Sequence, residues 1–282
     1  MRKNTSFSLE VFPPKDDVGI DAIYRNLYDF ARLDPDYISV TYAAGGTGGT
    51  GTAEIASVIQ SIHDIKAIAH VRCMGETEES VSAIIDDLKK HGIKSILALR
   101  GDKRPEDTLT DFTYATDLIS FLNQKGGFEV LATCYPEGHT ESENYLQDVD
   151  VMVKKHDLGV TRFVSQLFFD NEDFYRMRDE AVKRGVNEPI VAGIMPITNA
   201  KQILRTVSMC GAKIPARLSK IISKFGENPE ALRQAGLNYA IQQISDLISN
   251  DVDGIHLYAM NNPKTAETVF DSVKTMLRVA NE

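Results

Sequence analysis

Short β-branched or apolar runs recur along the chain at roughly regular intervals, and longer stretches of helical periodicity separate them. Strands are expected at 6–12, 37–41, 67–73, 95–99, 129–134, 162–168, 190–194 and 254–258. Ile20, Ile23, Leu27 and Phe30 share one helical face, and Val81, Ile84, Ile85 and Leu88 share another. Further helices are expected at 114–124, 142–156, 172–184, 199–209 and 264–279, with extra helix between 214 and 250 before the last strand. Strand–helix alternation implies a parallel sheet, and eight repeats predict an α/β fold closed into a (β/α)8 TIM barrel. An open doubly wound sheet is the alternative that the same alternation permits. No linker, low-complexity segment or strong internal repeat interrupts the pattern, so residues 1–282 read as a single domain.

The first strand carries the strongest chemical signal. In Ser6-Phe7-Ser8-Leu9-Glu10-Val11-Phe12-Pro13-Pro14, the residues Phe7, Leu9 and Val11 fall on one side and Ser8, Glu10 and Phe12 on the other. The two prolines end the strand because neither can donate to a ladder. A carboxylate in such surroundings is costly unless it is paired or kept protonated. Glu10 is therefore a candidate general acid, set against the blander reading of a strand-end Glu that reaches solvent.

Composition narrows the classes. The chain has 282 residues, 43% hydrophobic and 25% charged, which fits a globular protein with a sizeable core. Its net charge of -9 argues against a nucleic-acid backbone or an anionic membrane as the main partner. Cys73, Cys134 and Cys210 lie far apart without CxxC spacing, so neither a disulfide framework nor a zinc site is expected and a reducing compartment is favoured. No apolar run approaches the ~20 residues of a membrane span, and Glu10 with the two prolines breaks any signal-peptide core. The chain reads as cytoplasmic.

Barrel enzymes build their sites at the C-terminal ends of strands. Here those ends offer Glu10; Thr41-Tyr42; His70 and Arg72; Arg100-Gly101-Asp102; Tyr135-Pro136-Glu137-Gly138-His139; Gln166; and Tyr258. Seven strands ending so suggest a polar, aromatic-lined pocket large enough for a cofactor and a substrate. Other motifs are weaker. Gly46-Thr47-Gly48-Gly49-Thr50-Gly51 satisfies GxGxxG, but it follows the second strand and the third lacks an acid for ribose, so a site-edge loop is the better reading. His70 and His139 have no second His or Cys at ligand spacing, so no metal is expected. Lys154-Lys155 would ordinarily be a solvated helix face.

Six motifs in order, however, resemble the methylenetetrahydrofolate reductase family over essentially the whole chain. They are 7–15 (FSLEVFPPK), 39–42 (SVTY), 98–102 (ALRGD), 135–139 (YPEGH), 166–170 (QLFFD) and 256–258 (HLY). The resemblance implies a flavin-holding (β/α)8 barrel, normally with FAD, that reduces 5,10-methylenetetrahydrofolate to 5-methyltetrahydrofolate with NADH or NADPH as hydride donor. It implies that Glu10 is the general acid opening the one-carbon bridge to an iminium, and that Asp102 lies near flavin and pterin, where negative charge stabilises that cation. Arg100 and Lys103 beside Asp102 should keep it ionised. Gln166 would hydrogen-bond the pterin or the nicotinamide, and Gln202 and Tyr258 would line the folate side. For the flavin the resemblance points to Thr41, Tyr42, His70, Leu99, Arg100, Gly101, Asp102, Tyr114, Ala115, Tyr135 and His139. Asp148, Lys154 and Lys155 would hold its ribose and diphosphate end. Two positions depart from the pattern. The family often has Arg where Asn262 stands, and it commonly offers Asn and Arg where Val151 and Lys154 stand. Lys supplies charge without a bidentate fork.

Two other functions compete. A flavin-free, pterin-binding methyltransferase barrel would use Glu10, Asp102 and Gln166 but leave 135–139 and the lysine pair idle. A flavin-carrying electron-transfer subunit would need a partner protein. An exposed apolar helix face could also support a homo-oligomer.

Overall fold

A computed structural model of the chain describes residues 4–14, 17–42, 50–103, 107 and 110–282, with the backbone alone at 17, 18, 50, 202, 204 and 205. The strands are β1 (Ser6–Val11), β2 (Tyr37–Val40), β3 (Lys66–Arg72), β4 (Ser95–Leu99), β5 (Glu129–Cys134), β6 (Arg162–Ser165), β7 (Ile190–Ile194) and β8 (Gly254–Leu257). They are hydrogen-bonded in chain order as a closed barrel, which is the (β/α)8 arrangement expected from the repeat. The helices are α1 (Asp17–Ala31), α2 (Thr50–His63), α3 (Glu78–Lys90), α4 (Ala115–Lys125), α5 (Tyr145–Asp157), α6 (Asn171–Lys183), α7 (Ala200–Cys210), α8 (Ala216–Phe225), α9 (Pro229–Ser249) and α10 (Pro263–Asn281). The chain gathers into two compact units, one of Met1–Phe7, Cys134–Val153 and Val164–Glu282, the other of Ser8–Thr133 and Lys154–Phe163.

In the unit containing β2 to β4, strand register decides which side chains share a face. Glu10 is level with Ser39, and Ser39 with Ile68. His70 is level with Leu97, and Arg72 with Leu99. Side chains alternate across a strand, so Ser8 and Glu10 share the face of Ile68, His70 and Arg72. Leu9 and Val11 are fully buried on the opposite face. The ladder runs one residue past β2, where the Thr41 N–H donates to the Val11 carbonyl at 2.9 Å. Val81, Ile84, Ile85 and Leu88 form the buried face of α3, as their spacing predicts. Each contributes about 1.5–3 kcal/mol by leaving water. Thr77 and Ser80 begin that helix with a reciprocal capping box.

In the other unit, the Phe7 ring lies 5.0 Å from that of Phe270 on α10. Phe7 therefore faces α10. Gly193 is level with His256 in the β7–β8 pair. The segment 214–250 resolves into two helices, because Gly226, the capping Asn228 and Pro229 at the first helical position break it.

Most boundaries fall within two residues of the expectation, and two differ by three. Strand six ends at Ser165 rather than 168, because local side-chain bonds compete with the ladder. The Ser165 hydroxyl donates to the Gln166 carbonyl at 2.9 Å, and the Leu167 N–H donates to Gln166 Oε1 at 2.9 Å. The released 167–169 segment is held instead by α9, where Tyr239 donates to the Phe169 carbonyl and Gln243 to that of Phe168. Helix five starts at Tyr145 rather than 142, since Asn144 Oδ1 accepts the Gln147 N–H in the manner of a cap. The glycine run from Gly46 to Gly49 lies outside the described residues; Thr50 and Gly51 already belong to α2.

Candidate active site

In the unit containing β2 to β4, Glu10 sits at the C-terminal end of β1, its side chain about one-fifth (21%) exposed. Its Oε2 lies 3.6 Å from Nε2 of the buried His70. That places an ionisable ring next to the carboxyl on the inward face, beyond direct hydrogen-bond distance. Deeper on the same face, burial pushes the Tyr37 phenol up to about 12, while Ser8 bonds to it and Arg162 lies over its ring at 5.7 Å. That layer stays protonated and closes the floor beneath Glu10.

Beside this pair, side chains from three strand ends are tied together. The Tyr42 hydroxyl donates to Glu76 Oε1 at 2.9 Å, and Ser80 holds the other carboxylate oxygen at 2.7 Å. Arg72, buried at the end of β3, donates from Nη2 to Asp107 Oδ1 at 3.0 Å and lies over the Tyr42 ring at 5.8 Å. Gly101 passes Arg72 so closely that a Cβ there would stand 3.2 Å from that of Arg72, and its φ of +80° suits only glycine. Leu99, Arg100 and Gly101 are half-buried, whereas Asp102 is exposed. The Thr41 carbonyl accepts from the Thr52 hydroxyl at 2.9 Å. Tyr114 is exposed and precedes the half-buried Ala115 at the start of α4. Burial pushes the Cys73 thiol up to about 12, and its Sγ faces the Arg100 and Tyr114 carbonyls. It is a structural thiol, not a nucleophile. The lysine pair is split: Lys154 is exposed, but Lys155 is buried and donates from Nζ to the Thr133 carbonyl at 2.7 Å.

In the other unit, Tyr135 and His139 meet edge to face with ring centroids 4.9 Å apart. The turn that brings them together closes on Gly138, whose φ is +90°. Buried Asp148 fixes this loop, accepting the His139 N–H at 3.0 Å and the Ser142 hydroxyl at 2.9 Å. Glu137 Oε2 accepts the Lys213 N–H at 2.7 Å, and burial raises the pKa of that carboxyl. Gln166 turns its carbonyl oxygen to the Leu167 N–H, so its NH2 is the group it can present. Tyr258 donates from its hydroxyl to the Ser165 carbonyl at 2.8 Å and packs against Gly193. The Gln202 side chain lies outside the described residues.

Asn262, which departs from the family pattern, has a local task. Its Oδ1 accepts the Thr265 N–H at 3.1 Å and caps α10 after a tight turn through Met260 and Asn261, both at positive φ. Asn262→Ala is expected to cost about 1 kcal/mol, read as a lower midpoint in urea unfolding. An unchanged midpoint would mean that α10 begins equally well without this cap.

Sequence reasoning left Glu76, Asp107 and Gly193 out of the site and gave Arg72 no task. Only Gly193 carried a signal, since a glycine inside an apolar strand marks a close approach.

The family model described as methylenetetrahydrofolate reductase matches residues 1–274. The chain is similar to the 5,10-methylenetetrahydrofolate reductase of Pectobacterium carotovorum, at 30% identity over 268 residues, covering 95% of this chain and 89% of the relative. It is similar to the Escherichia coli K12 protein of the same name, at 29% over 262 residues, covering 93% and 88%. It is 31% identical over 278 residues to methylenetetrahydrofolate reductase (NADH) 1 of Arabidopsis thaliana, covering 93% of this chain but 47% of the relative. The chain thus spans about half the length of the plant relatives it matches. A Clostridium thermocellum protein described as binding two copies of 5-methyl-5,6,7,8-tetrahydrofolic acid shares the fold, with a TM-score of 0.64 at 11% identity over 99% of this chain and 97% of that one. By the family match over nearly its whole length, the chain belongs to the methylenetetrahydrofolate reductase family.

Proposed function

We propose that this chain reduces 5,10-methylenetetrahydrofolate to 5-methyltetrahydrofolate as a flavoprotein, with a reduced nicotinamide as hydride donor. The observation that carries the reading is the carboxyl of Glu10 beside His70 on the inward face of β1 and β3, in a chain of this family. The residues present fit a flavin: Arg72 Nε is buried with no acceptor among the described residues, and Gly101 keeps the backbone close to that side chain's stem. Thr41, Tyr42, His70, Leu99, Arg100, Gly101, Tyr114 and Ala115 would hold it, with Tyr135, His139, Asp148, Lys154 and Lys155. A flavin held there would supply the chemistry of hydride transfer between nicotinamide and folate.

The chain's own groups do the rest. Glu10 holds a proton for the folate nitrogen that leaves the one-carbon bridge, with the His70 ring beside that carboxyl. Asp102 supplies negative charge toward the resulting iminium. Gln166 offers its NH2 to an acceptor on the pterin, and Tyr258, oriented by Ser165, lines the folate side with Gln202. The three cysteines form no disulfide, which fits action in the reducing cytoplasm. Among the described residues no helix is long and apolar enough to cross a membrane.

Anaerobic stopped-flow with the FAD-loaded chain tests the reading. NADH or NADPH is expected to bleach the flavin absorbance, and methylenetetrahydrofolate to restore it with formation of 5-methyltetrahydrofolate. A chain that takes up no flavin sinks the proposal in favour of a flavin-free methyltransferase. Flavin that is bound but reducible only with an added protein favours the electron-transfer subunit.

A further inference from the structure

Arg72 is the last residue of β3 and shares the inward face with His70, one pleat closer to the C-terminal end. A long cationic side chain at a strand end ordinarily reaches water. This one does not, since its side chain is 10% exposed.

Its guanidinium is held from three directions. Asp107, with a side chain only 4% exposed, takes Nη2. The Tyr42 ring lies beneath the plane at 5.8 Å and is itself fixed through Glu76 and Ser80. Gly101 lies against the aliphatic stem. Asp107 occupies the space that a side chain at Gly75 would fill, which keeps its carboxylate on the Nη2 side. Among the described residues the buried Nε–H has no hydrogen-bond partner.

Arg–carboxylate pairs frequently use two parallel N–H bonds, whereas this one uses Nη2. A buried donor without an acceptor is destabilising, and such groups call for an explanation. Charge identifies the missing acceptor. Asp107 already neutralises the guanidinium, and Glu76 adds a second carboxylate through Tyr42. A phosphate would meet that negative charge, whereas a neutral carbonyl oxygen or ring nitrogen would not. The nearby flat ring of Tyr42 suits a planar heteroaromatic ligand.

We propose that Arg72 is a ligand of the bound flavin, donating its Nε–H to a carbonyl or imine acceptor on the isoalloxazine edge. The assignment rests on the flavoprotein reading above.

The test titrates apoprotein with FAD, following quenching of flavin fluorescence and the visible spectrum of the bound form. Arg72→Met removes the donor but strands Asp107 as a buried charge, so R72M/D107N is made beside it and thermal unfolding of each apoprotein is recorded. The double variant is expected to unfold near the wild-type temperature and to bind FAD about 10- to 100-fold more weakly, the loss expected for one charged hydrogen bond. Its bound-flavin spectrum should also shift, and Arg72→Lys should not restore affinity, because ammonium cannot present a donor at that place. A double variant with wild-type affinity and spectrum overturns the assignment while leaving the flavin reading intact. A wild-type chain that binds no FAD overturns both.

Discussion

Exchanging Glu10 for Gln is expected to slow folate reduction by about 100- to 10,000-fold, the usual contribution of a positioned general acid. Reduction of the proposed flavin by nicotinamide should stay near the wild-type rate. The physical basis is narrow. Glutamine has almost the same volume and still offers N–H donors, but it has no proton to surrender when the one-carbon bridge opens. Since the Glu10 side chain is one-fifth exposed and stands 3.6 Å from His70 rather than in a tight ion pair, the exchange strands no buried charge. The fold should therefore survive, and the loss should appear in one half-reaction only. Single-turnover reoxidation of reduced enzyme with methylenetetrahydrofolate reads that step directly. Equal slowing of both half-reactions would falsify the acid role and point to a general disturbance of the site.

Gly193→Ala should produce a large structural effect for a single methyl group near the site. A Cβ at that position would stand 2.3 Å from the Ser165 carbonyl oxygen and under 3 Å from the ring and hydroxyl of Tyr258. The same carbonyl accepts the Tyr258 hydroxyl, so one methyl both crowds the ring and blocks its hydrogen bond. Overpacking of a close-packed interior costs about 1–3 kcal/mol, and loss of the bond adds about 0.5–1.5 kcal/mol. The expected result is a lower denaturation midpoint at unchanged slope. Because Tyr258 is proposed to line the folate side, KM for the folate should rise more than kcat falls. An alanine variant with wild-type stability and KM would mean that β7 yields easily and that Tyr258 needs no fixed position.

Much of the fold was legible because burial repeats along the chain. The α3 face and the alternation in β1 are local patterns, readable within a dozen residues. Strand six was overrun because Gln166-Leu167-Phe168 continues the apolar character of the strand, while what ends it is a pair of short side-chain bonds that hydropathy does not encode. Helix five was extended too early for a similar reason, since 142–144 form a capping loop.

The candidate site divides along the same line. Glu10 announced itself as a charge inside an apolar strand. Arg72 stood in the right position, but its partner Asp107 is 35 residues further on, in a segment without periodicity. The closeness of Gly193 to Tyr258 follows from the β7–β8 register, which no single stretch of chain reveals.

The carboxylate of Glu76 has two masters. One oxygen steadies the phenol of Tyr42; the other is gripped by Ser80, which also completes the cap of α3. Fraying of an outer-layer helix terminus would thus be felt by an aromatic ring at the C-terminal end of β2. Surface engineering of this protein cannot treat the start of that helix as neutral ground, because loosening there travels inward through two hydrogen bonds.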